Sequence, residues 1–163
     1  MTRPERNALP WLFLSALIIG LDQLTKAIVL ATLQPYEPHE VIAGFLNWTL
    51  AFNTGAAFSF LADASGWQRW GFAGLAVVIS SVLIGWLART PRADWRTAVP
   101  LGLIVGGALG NLIDRLRFGH VTDFIQVYYW PGKDWPAFNV ADSAICVGAI
   151  LLGWYSLRAE KKA

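Results

Sequence analysis

Two short segments each bring one aspartate to the edge of a long apolar run: Gly119-His120-Val121-Thr122-Asp123-Phe124-Ile125 and Phe138-Asn139-Val140-Ala141-Asp142. Two carboxylates near a membrane surface suit acid/base chemistry on a substrate that arrives through lipid. If they meet, like charges sharing a site keep one carboxyl protonated while the other ionises. Peptide hydrolysis by water uses that division of labour. The ionised carboxylate removes a proton from water, and the protonated one polarises the scissile carbonyl and later protonates the leaving nitrogen. Such a pair titrates as a unit, so residue types alone do not say which aspartate is the acid. Each aspartate also has a plain reading. Asn139 as an N-cap with Asp142 three residues on is a capping-box-like pattern, and the helix dipole would keep such an Asp142 ionised. Asp123, alternating with apolar neighbours, could simply face water.

Other chemistries fit less well. The two histidines, His39 and His120, have no carboxylate at metal-ligand spacing, so a zinc hydrolase is disfavoured. Ser59, Ser143 and the other serines lack a G-x-S-x-G setting, and neither histidine lies in an evident triad. Gly106-Gly107-Ala108-Leu109-Gly110 lies inside an apolar run and lacks the Gly-Lys-Ser/Thr ending of a phosphate loop. His120 reads as a loop residue. Cys146 is the single cysteine, so no internal disulfide or thiolate metal cluster is possible; among Ala144, Ile145, Val147 and Gly148 it reads as a small packing residue. A proton-linked transporter using Asp22, Asp114, Asp123 and Asp142 as a relay would spread its carboxylates through the membrane and show internal repeats. Here the acids gather toward one side and the halves show no symmetry. A structural adaptor would leave the aspartate pair without a purpose.

The elements that must position this pair are membrane spans. The 163 residues are 55% hydrophobic and only 15% charged, and the mean hydropathy is +0.45, where soluble chains carry roughly 25% charged residues. A net charge of +2 gives no basic footprint for nucleic acid. Crossing the hydrocarbon core takes about 20 mostly apolar helical residues. Four stretches qualify, at about 11–30, 69–88, 97–114 and 139–157, the third being the shortest and richest in glycine. The first carries Asp22 and Lys26 and no small-residue cleavage site, so it reads as an anchor rather than a removable signal. Arg3, Arg6, Arg89, Arg92, Arg96, Arg158, Lys161 and Lys162 lie on one side of the spans, and Arg69, Arg115, Arg117 and Lys133 on the other. Eight against four places both termini and the middle loop in the cytoplasm and both key aspartates outside. Trp11, Trp67, Trp70, Trp86, Trp95, Trp130, Trp135 and Trp154 fall near span ends, as an aromatic belt does.

Within the first outer loop, residues 38–62 are rich in β-branched and aromatic side chains, punctuated by Gly44 and by Asn53-Thr54-Gly55. Two or three short strands at the outer membrane surface are expected, either cradling an extended peptide by strand addition or capping the helices. Asp22 and Lys26, four apart, share a helix face and pair, either as a structural lock or in support of the outer site. In the third span Gly102, Gly106 and Gly110 allow close helix approach, and Gly107, Asn111, Asp114 and Arg115 form a polar stripe that should face protein.

Together these residues resemble a family. Leu21-Asp22-Gln23-Leu24-Thr25-Lys26, Asn53-Thr54-Gly55-Ala56-Ala57-Phe58-Ser59, Gly106-Gly107-Ala108-Leu109-Gly110-Asn111-Leu112-Ile113-Asp114-Arg115 and the two aspartate segments, the second running on to Ser143, resemble bacterial lipoprotein signal peptidase, also called signal peptidase II. The likeness runs over essentially the whole chain, in matching order. It implies an all-α membrane protein of four transmembrane helices, with a small β-sheet cradle in the first periplasmic loop, in the bacterial cytoplasmic membrane. The implied activity is aspartic endopeptidase: removal of the signal peptide from diacylglyceryl-modified prolipoproteins, just before the lipidated cysteine. Asp123 and Asp142 would be the catalytic dyad. Asn53, Gly55, Asn111, Arg115, Asn139 and Ala141 would shape the site and hold the substrate, with Asp22, Lys26 and Asp114 in support. Part of the 124–137 loop would be a mobile arm. The substrate would enter sideways from membrane lipid, its acyl chains remaining there. A monomer suffices, with no cofactor, no metal and no nucleic-acid partner.

Overall fold

The computed structural model describes residues 7–55, 67–130 and 133–160, with the side chains of 129, 130, 133, 134, 159 and 160 left aside. Among the described residues there are four α-helices, α1 (Leu12–Thr32), α2 (Trp67–Arg89), α3 (Trp95–Phe118) and α4 (Val140–Glu160), and four strands, β1 (His39–Ile42) and β2 (Leu46–Asn53) between α1 and α2, and β3 (Val121–Trp130) and β4 (Lys133–Asp134) between α3 and α4. All four helices are long and apolar enough to cross a membrane.

The bundle is polar inside and apolar outside. On α1 the buried residues are Ser15, Asp22, Lys26 and Val29, while Phe13, Leu17, Leu21, Leu24 and Ile28 form an exposed stripe at helical spacing. On α4 the exposed stripe is Val147, Ile150, Trp154 and Leu157. Such faces suit lipid, whereas buried polar groups must find partners within the protein.

Helix α3 packs against the other three and is the most buried of the spans. It is also the longest, at 24 residues, where the sequence suggested the shortest. Its polar last turn carries Arg115 and Arg117, which favour the helix C-terminus by charge while lowering its hydropathy. Asp94 caps its start by accepting from the Thr97 amide at 3.3 Å. Gly119, at φ +84°, ends it with its amide on the Arg115 carbonyl, a left-handed turn that suits glycine. Glycines let α3 come close to its neighbours. A Cβ on Gly107 would collide with the Ala141 carbonyl, and its next neighbour, Ile145 Cγ1, would lie 2.7 Å away.

The Ala8 amide donates to the carbonyls of Leu87 and Thr90 at 3.2 and 2.9 Å, the Trp11 indole reaches the Arg92 carbonyl, and Trp95 packs edge-on against Tyr155. The segment before α1, the α2–α3 turn and the end of α4 therefore share one end of the bundle. The sheet occupies the opposite end.

That sheet is antiparallel, in the order β1-β2-β3-β4. It draws on both long connections rather than on the first alone. The 121–130 run is itself a strand, register-matched to β2 with Ala51 opposite Asp123 and Asn53 opposite Val121. The stretch carrying the expected arm is thus largely β-structure up to Trp130, as its Val, Thr, Ile, Tyr and Trp content favours. A possible third strand beyond Gly55, the Ala56–Ser59 motif residues, and Arg3, Arg6, Lys161 and Lys162 lie outside the described residues. Val29, Leu50 and Phe124 form an apolar cluster joining α1 to the sheet.

Candidate active site

Asp123 lies on β3 and Asp142 in the first turn of α4. A short bridge brings them together. The Phe124 and Ile125 amides donate to the Phe138 carbonyl at 3.0 and 2.8 Å, and the Phe138 amide returns a bond to Ile125. This pins the residues before α4 alongside β3. Asn139 then caps α4 reciprocally: its side-chain oxygen accepts from the Asp142 amide at 2.9 Å, and its own amide donates to Asp142 Oδ2 at 3.2 Å. The expected capping box is therefore present. Its remaining group, Asn139 Nδ2, donates to Asp123 Oδ1 at 2.7 Å. One fully buried asparagine ties both carboxylates.

Each carboxylate has a second amide partner. Asn53 Nδ2 donates to Asp123 Oδ2 at 3.2 Å, its orientation fixed because Asn53 Oδ1 accepts from the Gly55 amide at 3.0 Å. Asn111 Nδ2 donates to Asp142 Oδ1 at 2.7 Å. Arg115 Nη2 donates to the Gly55 carbonyl at 3.4 Å, and its guanidinium lies over the Phe72 ring. Asp123 is only 2% exposed. Burial first, and the negative charge of Asp142 second, push its carboxyl up to about 7. At neutral pH it can hold a proton.

A cavity of about 750 Å³ opens beside the pair. Asp123, Asp142, Asn53, Gly55, Asn111 and Arg115 are on its wall. Asn139, Ala141, Asp22, Lys26 and Asp114 stand behind it as a buried network. Lys26 Nζ reaches Asp22 Oδ2 at 2.8 Å, Asp114 Oδ2 at 3.0 Å and Asn111 Oδ1 at 3.0 Å. Asp22 Oδ1 accepts from the Ala141 amide on α4, and Asp114 Oδ2 accepts from the Thr122 amide on β3. The polar stripe on α3 thus faces protein: its Asp114 fastens the backbone beside Asp123, while Asp22 of α1 fastens the backbone beside Asp142.

Several residues on or near the cavity gave little signal in the sequence. Tyr36 lines the wall from a left-handed backbone conformation, φ +63°. Gln23 donates to Asp114 Oδ1 at 2.9 Å; its adjacency to Asp22 in an otherwise apolar span was the available clue. Cys146, expected as packing, is exposed and forms part of the cavity wall, because it falls on the outer face of α4. His120 packs between Phe52 at 4.6 Å and Phe118 at 6.0 Å. Burial pushes its imidazole below the ordinary value, so it is neutral at pH 7 and suits the loop position expected of it. Among the described residues, no group of three His, Cys, Asp or Glu side chains gathers as a metal site.

The fold and the cavity together define a polytopic membrane protein with a carboxylate pair on a cavity wall at one end of its bundle. Comparison with known proteins is specific. Residues 14–158 match the family described as Signal peptidase (SPase) II. The chain is 57% identical over 164 residues to Lipoprotein signal peptidase of Xanthomonas campestris pv. campestris (strain 8004), covering 99% of this chain and 98% of that protein. It is 59% identical over 158 residues to Lipoprotein signal peptidase of Xylella fastidiosa (strain 9a5c), covering 96% and 94% of the two. A bacterial membrane enzyme solved by the in meso method at 2.3 Å superposes with a TM-score of 0.85 and 30% identity, over 99% of this chain and 96% of the other. The chain belongs to the signal peptidase II family, and is a multi-pass bacterial membrane peptidase.

Proposed function

We propose that the protein is an aspartic endopeptidase that removes the signal peptide from diacylglyceryl-modified lipoprotein precursors, cutting just before the lipidated cysteine. The observation that carries this reading is the Asn139 bridge between two carboxylates on one cavity wall. Asp123 begins protonated and Asp142 ionised. Asp142 takes a proton from water as its oxygen bonds to the scissile carbonyl carbon, and Asp123 gives its proton to the carbonyl oxygen. As the tetrahedral intermediate collapses, Asp142 passes its proton to the leaving nitrogen and Asp123 recovers one from the hydroxyl. The pair is restored, and no step requires a metal or cofactor.

Within this reading, Asn53, Gly55, Asn111 and Arg115 face the substrate, while Asp22, Lys26, Asp114, Asn139 and Ala141 hold the two backbones in register. The cavity also reaches Ser143, Cys146 and Val147, and Cys146 and Val147 are exposed on α4. Acyl chains could remain in lipid there while the peptide meets the carboxylates. The basic-residue count supports cytoplasmic termini and a periplasmic active site, with the whole chain acting as one monomeric unit. Incubating the purified protein with a diacylglyceryl precursor and sequencing the product by mass spectrometry tests the cut site. The expected product begins at the lipidated cysteine; equal cleavage of the unlipidated precursor would remove the lipid from the reading.

A further inference from the structure

We propose that Lys26, acting through the Asn111 side chain, is the positioning group that decides which of the two carboxylates carries the shared proton. This rests on the aspartic reading above and gives its placement of the proton a structural cause. The Lys26 ammonium is 2% exposed and directs its donors to Asp22, Asp114 and Asn111. Two of those partners are anions, which balance its charge and tie it to α3. The third, Asn111, is neutral, and its amide leads to the cavity. Asn111 Oδ1 accepts from Lys26 at 3.0 Å, and Asn111 Nδ2 donates to Asp142 Oδ1 at 2.7 Å.

An amide whose oxygen is held by a cation is a stronger N–H donor, because hydrogen bonds in series polarise one another at low dielectric. The Lys26 charge reaches both carboxylates through space, and at Asp142 it also arrives through the hydrogen-bonded Asn111 amide. Asp142 receives a polarised N–H from Asn111 as well as the Asn139 amide. Asp123 receives two donors from neutral side chains, Asn53 and Asn139. The asymmetry favours the ionised form at Asp142 and leaves the proton at Asp123, the order that water activation by Asp142 requires. The charged groups around Asp142 are Asp22 and Lys26 from α1, Asp114 and Arg115 from α3, and Asp123 from β3. Of the two cations, Lys26 has an amide bridge to Asp142 Oδ1, while Arg115 donates to the backbone carbonyls of Asn111 and Gly55.

Removing Lys26 alone would strand Asp22 and Asp114 in the interior, which is strongly destabilising. Lys26→Met is therefore combined with Asp114→Asn, which leaves the net charge of the cluster unchanged, and compared with Asn111→Ala, which keeps both ion pairs. The measurement is the pH profile of kcat/KM on a diacylglyceryl peptide in detergent, with thermal melts to establish folding. Both changes are expected to raise the acid limb by about 1 pH unit, and together to move it no further than Asn111→Ala does, as links in series require. An unmoved limb with a lowered plateau would make Lys26 purely structural and overturn the proposal. Additive displacements would also overturn it, since the charge would then act without the amide. If the Lys26 combination fails to fold, Lys26→Gln with Asp22→Asn decides: it removes the ammonium and one paired carboxylate together and leaves the Asn111 amide beside Asp142. An unchanged acid limb in that variant would overturn the proposal, and a raised one supports it. Failure of the aspartic reading is separately visible as retained turnover in Asp123→Asn or Asp142→Asn.

Discussion

At the scale of single residues, Asp123 is held at a cost to stability. Its carboxyl is raised from 3.8 to about 7, so between those values the folded protein binds more protons at this site than the unfolded chain does. Stability therefore falls as pH rises through that window, by on the order of 4 kcal/mol as an upper bound. Asp123→Asn should accordingly raise the melting temperature in detergent at pH 8 and lose that advantage at pH 5. Part of the gain is offset because the new amide sets a donor against Asn53 Nδ2. A variant less stable than wild type by the same amount at both pH values would contradict the raised carboxyl. The same titration bears on activity. With Asp123 as the acid, kcat/KM should decline tenfold per unit once pH passes well above about 7. Asn139→Ala removes the cap and the bridge together. It should cost about 1 kcal/mol of stability through the cap and nearly all turnover. Normal kcat in a folded variant would deny Asn139 its positioning role.

Among the elements, the α3–α4 approach sets the position of Asp142. A Cβ on Gly107 meets the Ala141 carbonyl, one residue before Asp142, so even the smallest substitution must push the first turn of α4 away from Asn111. Gly107→Ala should destabilise by about 1–3 kcal/mol and lower kcat about 100-fold through misplacement. Gly153→Ala, on the same helix as Asp142 but with nothing within 4 Å of the added atom, should do neither. Equal behaviour of the two variants would show that the close approach is not what places the carboxylate. The four helices and the inward stripe of Asn111 and Asp114 were legible because hydropathy and helical spacing are local signals. The second strand pair was not. Residues 121–130 carry β-forming side chains, but their partner lies about 70 positions earlier in β2, and a register of that range leaves no mark within either segment. The end of α3 was misjudged for a related reason: Arg115 and Arg117 lower hydropathy at the turn where helix propensity and capping extend the helix.

For the whole molecule, the arrangement is a polar interior that rises toward one end and opens beside α4. The chain order kept the two aspartates apart in sequence, and their meeting depended on Phe138 bridging to Ile125, a contact no motif announces. Cys146 could not be placed from sequence because its apolar neighbours leave lipid, core and cavity wall equally available; it belongs to the wall. Cys146→Phe should therefore crowd the opening and raise KM about tenfold with kcat largely kept, the signature of weakened substrate binding without altered chemistry. An unchanged KM would move the substrate path away from α4.

The most direct test of the central claim is cleavage of a diacylglyceryl-modified precursor in detergent by wild type, Asp123→Asn and Asp142→Asn, with a chelator present throughout. Wild type is expected to cut normally, and both variants, folded by thermal melt, to be at least about 1,000-fold slower, roughly the loss of one acid/base group. Near-normal turnover by either folded variant, or loss of wild-type activity on chelation alone, would contradict it.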